Sequence, residues 1–173
     1  MPRLVSLNAR SAQDATASDE VEVVLIRITH PDLDTTIRLS SDPTERLSLE
    51  PLTYGTRSTW QTDDGSPFLF VLLSTVLPDD QEETPPAATL ILEVVDKDMA
   101  KPLRSTITRA TVDFAVVLAS DPDVIEAEWL GLELISAEGD SGQITLSISR
   151  DPITSEPWPS RRMTRDAFPG LHR

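Results

Sequence analysis

The sequence predicts a mainly β domain, an antiparallel barrel-like or sandwich fold with a short N-terminal helix and an extended C-terminal arm. Three observations carry that expectation. Fourteen prolines stand against six glycines, and with abundant Thr, Val, Ile and Leu they favour short strands between rigid turns over long helices. The runs FLFVLLSTV (68–76), ATLILEVV (88–95) and VDFAVVL (112–118) are almost wholly apolar, the pattern of strands covered on both faces. In QITLSISR (143–150), Ile144, Leu146 and Ile148 alternate with polar residues, as in a strand with one wet face.

Taken in order, Ser6 can cap a helix through Leu7, Ala9, Arg10, Ala12 and Ala15, because its hydroxyl can accept from a free first-turn amide. Glu20 to Thr29 then reads as a strand with Val21, Val23, Leu25 and Arg27 on one face and Val24, Ile26 and Ile28 on the other. Pro31 stops it, Asp32 to Asp34 turn the chain, and Thr35 to Ser40 completes a hairpin. From Glu45 to Gly65 the pattern is weaker: Leu47, Leu49 and Leu52 alternate, Thr53 to Thr62 is polar with Tyr54 and Trp60 as isolated anchors, and a long, partly ordered loop is expected.

Phe68 to Val76, bounded by Pro67 and Pro78, reads as one central strand. The acidic, proline-bearing PDDQEETPPA cannot bury a core and is expected to form a solvated loop before the strand Ala88 to Val95. Met99 to Thr106 is open between a turn of helix and a loop. Thr111 to Ala137 is the expected centre of the sheet, two strands joined at Ser120 to Asp123, where proline and aspartate supply turn chemistry. In its second strand Trp129, Leu132, Leu134 and Ile135 form the apolar side, with Glu126, Glu128 and Glu133 mainly opposite. EGDSG makes the next turn, and the strand Gln143 to Arg150 follows.

At 173 residues the chain suits one core. Residues 1–152 are read as a single β-rich domain, with 1–18 as helix and extension, and 153–173 as the arm. A net charge of −14 repels phosphate backbones and anionic membranes, so sequence-specific nucleic-acid binding is not expected. The absence of cysteine removes disulfides, thiolate metal sites and cysteine nucleophiles. The first residues lack a secretory apolar core, and no apolar run approaches the roughly 18 residues of a membrane helix.

Two histidines, with no Gly-x-Ser-x-Gly elbow or Walker loop, leave little material for a catalytic triad. His30, before Pro31 at a strand end, is read first as a structural hydrogen-bonding residue and only second as catalytic; His172 sits next to the last residue. The pairs Asp96 with Asp98, Asp63 with Asp64, and Asp32 with Asp34 could offer oxygens to a hard cation, but aspartates at turns more often accept from backbone amides. No catalytic, metal or cofactor-binding residue is therefore assigned. The interface candidates lie in the arm: Trp158, Phe168 and Leu171 as spaced anchors, with Arg161, Arg162 and Arg165 to pair with acidic neighbours.

The elements ITHPDLDTTIRLSSD, TYGT, FLFVLLSTVLPDD, ATLILEVVDKDM, VDFAVVLASDPD and EPWPSRRMTRDAFPGL, in that order, resemble a family of small tail proteins from long-tailed bacteriophages and prophages. The most distinctive parts are the strand into His30-Pro31, the Arg38 hairpin, the Asp121-Pro122 turn and Phe168-Pro169-Gly170-Leu171. The chain departs from that pattern at Thr35-Thr36, where a proline before the isoleucine is common, and in the acidic loop Asp79 to Glu83. The resemblance implies a virion structural subunit of the tail tip, made in the host bacterial cytoplasm, with no catalytic residues and no cofactor. Its implied partners are copies of itself in a ring, the distal tail protein, the hub or central fibre, and the tape-measure protein. The rival reading from the residues is a soluble β-barrel with a ligand in its mouth.

Overall fold

In the computed structural model, which describes residues 5–62, 65–78, 87–93, 108–139, 142–150, 168 and 170, two strands with apolar residues on both faces lie side by side. These are β1 (Glu22–Thr29) and β8 (Thr111–Leu118), paired antiparallel from Glu22↔Leu118 to Thr29↔Thr111. Period-2 alternation sorts their side chains onto opposite faces. Ile26, Ile28, Val112 and Phe114 enter one apolar cluster, and Val23, Leu25, Ala115 and Val117 enter a second. This is the face assignment expected for the first strand, except that Val21 precedes β1 and is exposed.

The first element among the described residues is helix α1 (Leu7–Asp14), capped as expected by Ser6, whose Oγ accepts from the Ala9 amide at 3.1 Å. β1 forms the expected hairpin with β2 (Ile37–Ser40), from Leu25↔Ser40 to Ile28↔Ile37. β3 (Glu45–Leu49), β4 (Leu52–Thr56), β5 (Phe68–Phe70), β6 (Leu73–Val76) and β7 (Ala87–Glu93) follow. After β8 come β9 (Asp121–Gly139) and β10 (Gln143–Ser149). Among the described residues the sheet runs β3-β4-β5-β2-β1-β8-β9-β10-β7-β6, with every pair antiparallel except β2 with β5.

That order explains the closure. β5 and β6 stand on opposite sides of the order, yet only Val71 and Leu72 separate them in the chain. The Val71 amide donates to Ser40 O on β2 (3.0 Å), while Leu72 O accepts from the Glu93 amide on β7 (2.9 Å). One bent run thus joins the two flanks, and the sheet curls into a barrel. Its interior is the larger cluster, filled by Phe114, Leu90, Leu92, Leu132, Leu146 and Ile148 among others.

This corrects the reading of 68–76 as one central strand. The run is broken at Val71-Leu72 and forms the seam, with Leu69, Leu72 and Val76 exposed. A continuous apolar stretch looks the same whether both faces are buried or the chain switches faces at a bend. β7 is likewise not covered on both sides: Ala88, Leu90 and Leu92 are buried, whereas Ala87, Thr89 and Glu93 are exposed. Residues 94 and 95 lie outside the described residues. β10 matches its expectation, with Ile144, Leu146 and Ile148 buried.

β9 is long because a kink lets it serve two partners, β8 through its first part and β10 through its second. Gly131 takes φ +67°, a conformation other residues adopt only with strain, in the stretch where the β8 register shifts. Two side chains of β9 depart from the expected sides: Ile135 is exposed and Glu126 is buried. Glu126 turns inward because its Oε2 accepts the Ser6 amide at 2.8 Å, placing a carboxylate at the N-terminus of α1.

Candidate functional site

His30 has a fully buried side chain. Its Nδ1 accepts the Asp32 amide at 3.0 Å, so the ring proton sits on Nε2, which donates to Thr108 Oγ1 at 2.6 Å. Both nitrogens are used in holding a strand end to the segment entering β8, the structural role read first from the sequence. The Asp32 carboxylate is largely exposed, with Oδ2 3.7 Å from His30 Nδ1. Among the described residues, no three His, Cys, Asp or Glu side chains converge as a metal cage would require. Asp63, Asp64, Asp96 and Asp98 lie outside the described residues, as does the segment read as helix or loop between Met99 and Thr106. Trp158, Arg161, Arg162, Arg165 and Leu171 also lie outside them; Phe168 is described and exposed.

What the sequence reading missed is the organisation of 45–62. Instead of a long loop, β3 and β4 form a hairpin linked at Glu50-Pro51, whose peptide bond is cis. Among the described residues β4 is registered against β5 at Gly55↔Leu69 and Thr56↔Phe68 alone, so its first half and the facing half of β3 lie beyond the barrel ladder. The tip is apolar. Leu49 is 68% exposed and Leu52 58%, with Tyr54, expected as an anchor, also exposed. At the base, Gly55 permits the backbone of β5 to come close, since a Cβ there would collide with Phe68 O. The signal available was the alternation of Leu47, Leu49 and Leu52 around Pro51.

After β4, Arg57 to Thr62 crosses the outside of the barrel and Trp60 plugs the second cluster, as its reading as an anchor anticipated. Trp60 is 5% exposed and stacks on Phe68, centroids 5.9 Å apart. The crossing is held to the start of β9. Ser58 Oγ donates to Pro122 O (2.7 Å), and the Thr59 amide and hydroxyl both donate to Asp123 Oδ1 (2.7 and 2.9 Å). The Thr59 amide first, and then its hydroxyl, hold the Asp123 carboxyl below its ordinary 3.8.

Because that value is depressed by folding, the contact is fully present above the ordinary value and is lost as pH falls through the folded one. The Thr59 amide proton therefore shifts with an inflection below pH 3.8 in an NMR titration. An inflection at or above that value contradicts the contact.

The family model described as Domain of unknown function (DUF1833) matches residues 8–162. No curated protein matches the chain.

Proposed function

The chain belongs to the DUF1833 family, and we propose that it is a structural subunit of a bacteriophage tail tip. In this reading it assembles with its own copies into a ring that joins the tail tube to the central fibre or other receptor-binding parts. The distal tail protein, the hub and the tape-measure protein are its neighbours in the virion. The order of sequence elements quoted above supports the reading, and one structural observation carries it. The β3–β4 hairpin extends past its ladder with Leu49 and Leu52 at the tip, two large side chains in water on an isolated subunit. Apolar anchors of this kind acquire a role when a neighbour covers them.

A ring closes through heterologous contacts, in which different surfaces of successive copies meet. A projecting hairpin suits such a contact because it reaches a neighbour without distorting the barrel it springs from. The rival ligand-module reading must place its ligand outside the barrel interior, which Phe114, Leu90, Leu146 and their neighbours occupy.

The double substitution Leu49→Asp with Leu52→Asp tests the reading. Both residues are exposed, so the isolated protein is expected to keep its melting temperature. Particles carrying it are expected to lack complete tail tips by electron microscopy and to lose infectivity. Normal tips on particles containing the variant contradict the assignment of the hairpin to assembly.

A further inference from the structure

We propose that residues 57–62 are a detachable strap, clamped through Asp123, whose release uncovers an apolar flank of the β1–β8 pair while the barrel stays folded. This goes beyond the assembly reading and does not depend on it. The surface beneath the strap is unusual for the outside of an antiparallel sheet, which commonly faces water with polar side chains. Here Val23, Leu25, Ala115, Val117 and Phe68 are all fully buried, with Trp60 laid over them from the strap.

The strap belongs to no strand, so opening it breaks no β-ladder. Among the described residues its polar attachments to the rest of the fold are these: two end on Asp123 Oδ1, one on Pro122 O, one joins Gln61 Oε1 to Arg27 Nη1 at 3.3 Å, and at the start of the strap the exposed Arg57 Nη1 pairs with Glu45 Oε1 of β3 at 3.0 Å. The closed state also holds unfavourable features concentrated at this point. Trp60 Nε1 and Arg27 Nε are buried with no acceptor among the described residues, and Gln61 takes φ +51°, which a residue with a Cβ adopts only at a cost.

Water reaches both N–H groups, and Gln61 can relax, as soon as the strap lifts. Against opening stand the burial of the indole and its stacking on Phe68. Opposed local terms of this sort produce a segment that opens below the global unfolding transition, while the ladder bonds of β1 and β8 remain protected.

The test is amide hydrogen exchange on the full chain carrying Asp123→Ala, read at Trp60 and Thr62 in the strap and across β1 and β8 in the barrel. In the closed strap the Trp60 amide donates to Ser58 Oγ and the Thr62 amide to Thr59 O. The expected result is exchange at these two amides faster by about tenfold or more, with rates in β1 and β8 unchanged. Unchanged rates at Trp60 and Thr62 overturn the clamp. Equal acceleration in strap and barrel overturns the independence of the strap. Should the alanine variant misfold, Asp123→Asn, which removes the charge and keeps the shape, is read by the same ratio of rates.

Discussion

Phe114→Asp is expected to yield a chain that does not fold. Phe114 has no solvent exposure and stands on β8 opposite Ile26 of β1 and Trp129 of β9, inside the barrel. Truncating a buried phenylalanine alone costs about 3–5 kcal/mol. A carboxylate in the same place must be desolvated without a partner or take up a proton, which costs several kcal/mol more. Against a total stability of roughly 5–15 kcal/mol, the sum removes the folded state. Leu92→Asp, from the opposite wall on β7, is expected to do the same, because both side chains belong to one cluster. Val76→Asp provides the contrast. Val76 is exposed on β6, so its replacement changes stability by only about 0.5 kcal/mol. Circular dichroism with thermal melts separates the cases, and a soluble, cooperatively melting Phe114→Asp variant contradicts the interior position.

Short-range alternation made much of this fold legible. The faces of β1, the β1–β2 hairpin, the Ser6 cap and the alternation of β10 all follow from residues within a few positions of one another. What escaped depends on closure. Nothing in FLFVLLSTV distinguishes a straight buried strand from one that leaves β2 at Val71 and reaches β7 at Leu72, because the partners that bend it are far away in the chain. The β3–β4 hairpin escaped for a different reason: its apolar residues are solvent-facing at the tip, so alternation there does not mark a buried face. Of the candidate residues, His30 could be read locally, since one partner of its ring is the amide two positions on. Glu126 could not, because burial of a carboxylate depends on an amide 120 positions away.

Asp113 is the clearest case of a residue whose importance only the fold reveals, and Asp113→Ala is expected to cost about 3 kcal/mol. In sequence it is a lone acid within an apolar run, TVDFAVVL. In the barrel its side chain is 8% exposed and faces Arg27 across the β1–β8 ladder, with Oδ2 3.2 Å from Nη1. Its other oxygen accepts the Gly131 amide at 2.8 Å, so the same carboxylate fixes the kink that divides β9 between two partners. Removing it takes the counter-charge from a partly buried guanidinium, which among the described residues keeps only its bond to Gln61 Oε1, and leaves an amide that has no ladder partner at the bulge, so both groups lose part of what offsets their desolvation. Arg27→Ala should cost less, because Arg27 is 27% exposed and its removal leaves the Asp113–Gly131 bond in place. The two changes share a partner and so should not add; a double-mutant cycle by chemical denaturation is expected to give a coupling within roughly 0.5–3 kcal/mol. Additive losses would mean that Asp113 stabilises the barrel through Gly131 alone. A loss below about 1 kcal/mol for Asp113→Ala would remove the kink from the account of how β9 is held.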